Sequence, residues 1–183
     1  MPIQLLLPGL TPAAPPPPAP PSDDLMMYPE VPSGTLSRHA KLLGRAGEAL
    51  VDSFLGRWGL LSLPVPECQP FDRLLVIGGT ALRAQIKTAS VARDGHFNFE
   101  VSHGYRGSPT GVRGYAAGSF DLLILVVLPH NAVMFSADLG RRHRIAVTDI
   151  PRLQAAPRAS LGRALVDLGL DAATCPGGEP DAA

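Results

Sequence analysis

The sequence predicts an α/β fold in which a mixed β-sheet is flanked by helices. Three patterns predict it: an amphipathic helical pattern over residues 36–58, a hairpin pattern over 71–89, and an apolar run over 120–128. A chain of 183 residues has room for one ordinary domain built from such elements. We therefore expect one layered core.

Residues 1–35 are predicted to form a disordered, Pro-rich arm. They contain 11 of the 20 prolines, including the run from Pro15 to Pro18, and such segments favour extended polyproline conformation over a packed core. The α/β domain is expected over residues 36–150. A C-terminal helical segment over 151–170 and a disordered tail over 171–183 complete the predicted organisation.

The helical pattern of residues 36–58 places apolar side chains at helical spacing and ends before Gly59, which is a stop signal. Gly44 and Gly47 inside it each cost ~1 kcal/mol relative to alanine. We therefore expect another backbone or a ligand to approach this side of the helix closely. Glu48 lies at the edge of that region and is compatible with either a solvated surface position or a functional site.

Gly78 and Gly79 predict a two-residue turn between two antiparallel strands. Such a turn fixes the register, so that Asp72 lies opposite Gln85, and Lys87 emerges on the same face two residues further on. A three-residue turn would shift the register by one and point Asp72 away from Gln85.

A carboxylate, an amide oxygen and an ammonium group in this arrangement suit a hard divalent cation and a phosphate or water molecule. Two other interpretations remain open. Asp72 could be only a turn-forming acid, and Gln85 with Lys87 could form the solvent face of an edge strand.

Further strands are predicted at Phe97–Val101, 120–128, Ala132–Ser136 and Ile145–Val147, with a glycine-rich basic loop over residues 104–118. The apolar run at 122–128 is far shorter than the ~20 residues of a membrane span. A soluble, cytoplasmic protein without a membrane partner is expected.

The formal net charge is zero, but its distribution along the chain is uneven. All 16 Lys and Arg residues lie within residues 36–163, which contain nine acidic residues, whereas both ends carry only acids. The basic middle indicates a nucleic-acid partner. The sequence has no P-loop motif, no G-x-S-x-G motif and no cysteine pair at metal-ligand spacing, which excludes the ATPase, acyl-transfer hydrolase and zinc-site patterns.

Taken in chain order, these segments resemble the PD-(D/E)XK nuclease superfamily over about residues 36–147. The resemblance is to the branch with glutamine in place of the second acid, as in group I intron homing endonucleases and resolvase-like nucleases. The segments that carry it are Glu48 in G-R-A-G-E, Asp72 in P-F-D-R, Gln85 and Lys87 in R-A-Q-I-K-T, and Tyr115 and Asp121 in Y-A-A-G-S-F-D-L. The chain departs from the pattern at Phe71, where a proline is frequent, and at Ser119, where relatives often carry an acid. We therefore interpret Asp121 and Tyr115 as structural.

The resemblance implies a restriction-endonuclease-like core and a DNA endonuclease that uses Mg²⁺, or Mn²⁺ in its place, to hydrolyse phosphodiester bonds. By this resemblance Asp72 is the main metal ligand, Gln85 the second, and Glu48 completes the metal shell. Lys87 orients or deprotonates the attacking water. A homo-oligomer, dimer or higher, is implied by analogy, because one domain presents one active site.

Four arginines are expected to contact DNA: Arg45, Arg83, Arg106 and Arg113. Two alternatives remain: a catalytically silent DNA-binding or assembly protein on the same fold, and a protein-interaction module whose Pro-rich arm binds a partner.

Overall fold

The computed structural model describes residues 25–104 and 111–170. The N-terminal part of the Pro-rich arm, the tail at 171–183 and Arg106 lie outside these residues. The helices are α1 (Ser33–Arg38), α2 (Ala40–Arg57), α3 (Ile150–Ala155) and α4 (Pro157–Asp167). The strands are β1 (Leu61–Pro64), β2 (Arg73–Ile77), β3 (Thr80–Ala89), β4 (Ala92–Arg93), β5 (His96–Glu100), β6 (Ser102–His103), β7 (Arg113–Gly114), β8 (Leu122–Val127), β9 (Ala132–Ser136) and β10 (Arg142–Ala146).

The main sheet of the described residues has five strands in the order β1-β2-β3-β8-β9. Strands β3 and β8 are parallel, and the other neighbouring pairs are antiparallel. The predicted α/β fold with a mixed sheet is therefore confirmed. Because β3 is the middle strand, Gln85 and Lys87 do not lie on an edge.

The predicted hairpin register is confirmed. Ile77 pairs with Thr80, and the ladder continues to Arg73 opposite Ala84. Gly78 and Gly79 have φ angles of +57° and +80°, the left-handed conformation that both central residues of a type I′ turn need. The next position along the hairpin brings Asp72 beside Gln85.

The two faces of the main sheet are covered differently. Helices α2 and α4 pack on one face, where Val51, Leu55, Leu161 and Leu165 are buried against even-numbered residues of β3 and β8. The other face is covered by α3 and by a three-stranded sheet in the order β10-β5-β4. Since side chains alternate along a strand, Gln85 and Lys87 point toward this second layer.

Several boundaries differ from the sequence-based expectation. The predicted helix over 36–58 is two helices separated at His39, and α1 begins at Ser33 because Thr35 and Leu36 are buried. The C-terminal helical segment is broken at Ala156, since Pro157 lacks the N–H that would continue α3. Residues 61–64 form the edge strand β1, which the sequence pattern did not predict. No helix within residues 25–104 and 111–170 is long and apolar enough to cross a membrane.

Of Gly44 and Gly47, only Gly47 lies against another element. A Cβ built on Gly47 would lie 3.1 Å from the Thr88 Cβ and closer still to its Oγ1, whereas a Cβ on Gly44 would meet nothing within 4 Å. The predicted close approach is therefore confirmed at Gly47 and wrong at Gly44.

Replacing Gly47 with alanine should destabilise the protein, because overpacking costs roughly 1–3 kcal/mol, more than the ~1 kcal/mol gained in helix propensity. The matched control Gly44→Ala should stabilise it. Urea unfolding of both variants measures the difference, and Thr88→Ala should restore the stability of Gly47→Ala. Equal stability of the two glycine variants would contradict the proposed contact.

Candidate active site

Asp72 is held at the end of the hairpin by both its backbone and its side chain. Its backbone N–H donates to the Ala84 carbonyl oxygen at 2.9 Å. Its Oδ2 accepts the Ile86 backbone N–H at 2.7 Å and the Gln85 Nε2 at 2.5 Å. Burial is the main cause of the raised pKa of the Asp72 carboxyl, and repulsion from the Glu48 carboxylate raises that pKa further. The hydrogen bond from the Ile86 backbone N–H and the positive charges of Lys87 and Arg73 lower the pKa, but they do not cancel the rise.

Gln85 is 3% exposed and uses its amide nitrogen twice, on Asp72 and on the Ile86 carbonyl oxygen at 3.2 Å. Among the described residues, neither Gln85 Oε1 nor Asp72 Oδ1 has a hydrogen bond. Both side chains line a cavity of about 430 Å³, together with His103, Tyr115 and Ser119. Two residues that each have a side-chain oxygen without a hydrogen bond in the described residues therefore line one cavity.

Lys87 lies on the same face and is half-buried. Its Nζ donates to the Ser102 carbonyl oxygen at 2.7 Å and to the Tyr115 hydroxyl oxygen at 3.1 Å. Burial lowers the pKa of the Lys87 ammonium, and the charge of Asp72 opposes this shift. Burial, with a smaller contribution from Asp72, raises the pKa of Tyr115 to about 12. Tyr115 therefore stays protonated near neutral pH while it accepts the Lys87 bond.

Glu48 lies near Asp72, and one oxygen of its carboxylate is bonded to Arg73. The Arg73 Nη1 donates to Glu48 Oε2 at 3.0 Å, and its Nη2 donates to Asp52 Oδ2 at 2.9 Å. Glu48, Asp72 and Arg73 line a smaller cavity of about 220 Å³. The Arg73 side chain is only 9% exposed, so this ion-pair cluster joins α2 to the start of β2.

Sequence reasoning missed both Asp52 and Arg73. The sequence contained a signal for each of them. Asp52 follows Glu48 by one helical turn, and Arg73, as the residue after Asp72, points to the opposite face of the sheet, which α2 covers. Sequence reasoning also left Tyr115 as structural. No sequence pattern shows its contact with Lys87, since the two residues meet only through the tertiary fold.

The arginines predicted to contact DNA have different surroundings. Arg83 binds Asp121 through Nε at 2.9 Å and Nη2 at 2.6 Å, and Asp121 Oδ2 also accepts the Arg83 backbone N–H. Asp121 is thus structural, as predicted, and it neutralises Arg83. Arg45 lies 3.4 Å from Glu67 and is exposed. Arg113 pairs with His103 across β6 and β7, next to the cavity.

The donor chemistry fits a hard cation. In the part of the chain that the structure describes, no group of three or more His, Cys, Asp or Glu side chains could hold a metal ion. Mg²⁺, however, is usually bound by one or two carboxylates, with waters and substrate phosphates as further ligands. Asp72 Oδ1 and Gln85 Oε1 provide one carboxylate oxygen and one amide oxygen of this kind.

The fold is similar to that of a solved bacterial homing endonuclease, I-Ssp6803I. The two structures align with a TM-score of 0.50 and 16% sequence identity, over 58% of this chain and 77% of that chain. No family model matches the chain, and no curated protein matches it. Membership of the glutamine-containing PD-(D/E)XK branch stays a prediction. The chain has an endonuclease-like α/β fold.

Proposed function

We propose that the protein is a DNA endonuclease that hydrolyses phosphodiester bonds with the help of Mg²⁺, or Mn²⁺ in its place. One observation carries the proposal: Asp72 and Gln85, each with one side-chain oxygen that has no hydrogen bond in the described residues, line the same cavity as Tyr115, which accepts a hydrogen bond from the half-buried Lys87 ammonium. The endonuclease-like fold supports it independently.

Asp72 and Gln85 would hold the cation. A bound divalent cation polarises a phosphoryl oxygen and lowers the pKa of a water molecule. The two ligand side chains are preorganised by hydrogen bonds. The Ile86 backbone N–H holds the Asp72 carboxylate, and the Asp72 carboxylate in turn orients the Gln85 amide. Little reorganisation is then needed when the substrate arrives.

Lys87 is the candidate for proton transfer and charge stabilisation. Two of its three N–H groups are directed to Ser102 and Tyr115, which leaves the third for a phosphate oxygen or a water molecule. Because burial lowers its pKa, the neutral amine forms closer to neutral pH than in an exposed lysine. Lys87 Nζ can therefore accept a proton from an attacking water and stabilise charge on the phosphate.

One observation favours a second candidate function, that of a catalytically silent DNA-binding or assembly protein. The resemblance assigns Glu48 to the metal shell, but Arg73 binds its carboxylate. A carboxylate whose charge is already paired with an arginine attracts a cation less, so such a site binds a cation more weakly than a site with two unpaired carboxylates. Assembly as a dimer or higher homo-oligomer stays a proposal made by analogy.

A cleavage assay tests the proposal. The chain has two lysines, so Lys41→Ala, at an exposed position paired with Glu67, is the matched control for Lys87→Ala. With supercoiled plasmid or branched DNA and Mg²⁺ or Mn²⁺, we expect nicking by the wild type and by Lys41→Ala. Lys87→Ala should lose about 10²–10⁴-fold in rate, the usual contribution of a general acid or base.

The same assay distinguishes the two candidate functions. DNA binding by the wild type without cleavage in either metal would reject the endonuclease and support the silent protein. Cleavage that survives in Lys87→Ala would reject the role of Lys87.

A further inference from the structure

Beside the cavity, strands β4, β5 and β10 form a small sheet with one face turned to solvent. Phe97, Phe99 and Ile145 point inward and are at most 4% exposed. They pack with Leu123 and Leu125 of the main sheet. Because side chains alternate along each strand, the residues between them form the outer face.

The outer face is rich in arginine. Arg93, Arg142 and Arg144 are exposed, and none of them has an ion pair within residues 25–104 and 111–170. The one acid on this face of the three strands is Glu100, which Arg141 binds at 3.2 Å. Asn98 lies directly opposite Arg144. We call Arg93, Arg142 and Arg144 the arginine face.

This face begins at the rim of the candidate active site. The Ser102 carbonyl oxygen, two residues after Glu100, accepts the Lys87 bond, and Val101 donates its N–H to the Arg141 carbonyl oxygen at 2.8 Å. Arg142 pairs with Glu100, so it lies about 7 Å along the strand from the level of Ser102. Arg144 lies two residues further from the cavity along the same strand.

We propose that the arginine face binds the sugar-phosphate backbone of double-stranded DNA next to the bond held at the Asp72, Gln85 and Lys87 cavity. This inference rests on the proposed endonuclease function and adds the surface that positions its substrate. Guanidinium groups match phosphate geometry through paired hydrogen bonds, and a β-sheet surface can lie against a DNA groove. Contacts of this kind set the register and orientation of the duplex rather than the sequence that is read.

The test is the salt dependence of duplex binding by the 183-residue chain. The double variant Arg142→Gln/Arg144→Gln is compared with the wild type by fluorescence anisotropy in EDTA, on a random-sequence duplex, over a series of salt concentrations. Each lost phosphate contact lowers the slope of log affinity against log salt by ~0.9, so a decrease of ~1.8 is expected, with about tenfold weaker binding at low salt.

Two further variants control for charge and for folding. Arg57→Gln/Arg163→Gln removes the same charge from α2 and α4 on the opposite face of the main sheet and should leave the slope unchanged. Arg142→Lys/Arg144→Lys keeps the charge and should retain the slope. If the double glutamine variant fails to fold, Arg144→Gln alone should lower the slope by ~0.9.

The proposal that the arginine face binds DNA would be overturned by an unchanged slope in the glutamine variant. An equal decrease of the slope in the α2 and α4 control would also overturn it. The cleavage assay reports separately on the enzyme. Wild-type binding without cleavage would reject the endonuclease and leave the slope result standing, and no binding of duplex DNA by the wild type would reject both.

Discussion

Asp72→Asn is expected to abolish cleavage and divalent-cation binding and, at the same time, to make the metal-free protein more stable. The carboxylate is partly buried, and burial raises its pKa, so keeping it ionised at neutral pH costs folding free energy. Asparagine keeps an oxygen that can accept the Ile86 N–H and removes the charge. The cation would lose the carboxylate of its proposed main ligand.

The sign of the pH dependence follows from the direction of this pKa shift. Between the ordinary pKa of 3.8 and the raised value, the folded state binds more protons than the unfolded state. Wild-type stability contributed by Asp72 is therefore complete below pH 3.8 and is lost as the pH rises through the raised pKa. The stability advantage of Asp72→Asn should grow across that window and then stay constant.

Thermal melts in EDTA over a pH series, with calorimetric titration of Mg²⁺ and Mn²⁺, measure these effects. Added metal should raise the melting temperature of the wild type by mass action and leave that of Asp72→Asn unchanged. Asp167→Asn, at an exposed position on α4, is the control and should behave as the wild type. Unchanged cation affinity in Asp72→Asn would show that Asp72 is not a metal ligand. A variant less stable than the wild type would show that the charge of Asp72 does not destabilise the metal-free fold.

The second large effect is expected for Arg73→Met, which should destabilise the fold by about 3 kcal/mol, at the lower end for a broken buried ion pair. The Arg73 side chain is 9% exposed and neutralises two carboxylates, while Glu48 and Asp52 are 31% and 39% exposed. Because water partly solvates these two carboxylates, the loss of Arg73 costs less stability than it would for fully buried acids. Without Arg73, both acids repel each other and Asp72.

Urea unfolding at neutral pH measures this loss. The triple variant Arg73→Met/Glu48→Gln/Asp52→Asn removes the uncompensated charges together with their partner and should recover most of the stability. If the triple variant is as unstable as Arg73→Met, packing of the Arg73 side chain, rather than charge, accounts for the effect.

The sequence predicts the hairpin site well because a short-range rule governs it. Two glycines fix the turn, the turn fixes the register, and the register puts Asp72 beside Gln85. None of these steps requires knowledge of the other elements. The same reasoning placed Lys87 on the correct face of β3.

The contacts that sequence reasoning missed depend on packing between elements. Arg73 meets Glu48 and Asp52 because α2 packs on the sheet, and the same helix lies against Thr88 at Gly47. The alternation of β5 predicted a strand but gave no sign that it pairs with β10 in a separate sheet. Strand pairing between distant segments is set by the whole fold rather than by the local pattern.

The two sides of the cavity differ in how extensively their backbone is hydrogen-bonded to neighbouring strands. Gln85 and Lys87 stand on a strand that is hydrogen-bonded to neighbours on both sides, so their backbone amides should be among the slowest to exchange with solvent. The facing side comes from residues Glu67–Pro70, which lie between β1 and β2, from His103 in the two-residue strand β6, and from Tyr115, Ala116 and Ser119, which follow β7. For the proposed endonuclease, substitutions there would alter which DNA enters the cavity while Asp72, Gln85 and Lys87 keep their places, so substrate preference could diverge without a change in the proposed chemistry.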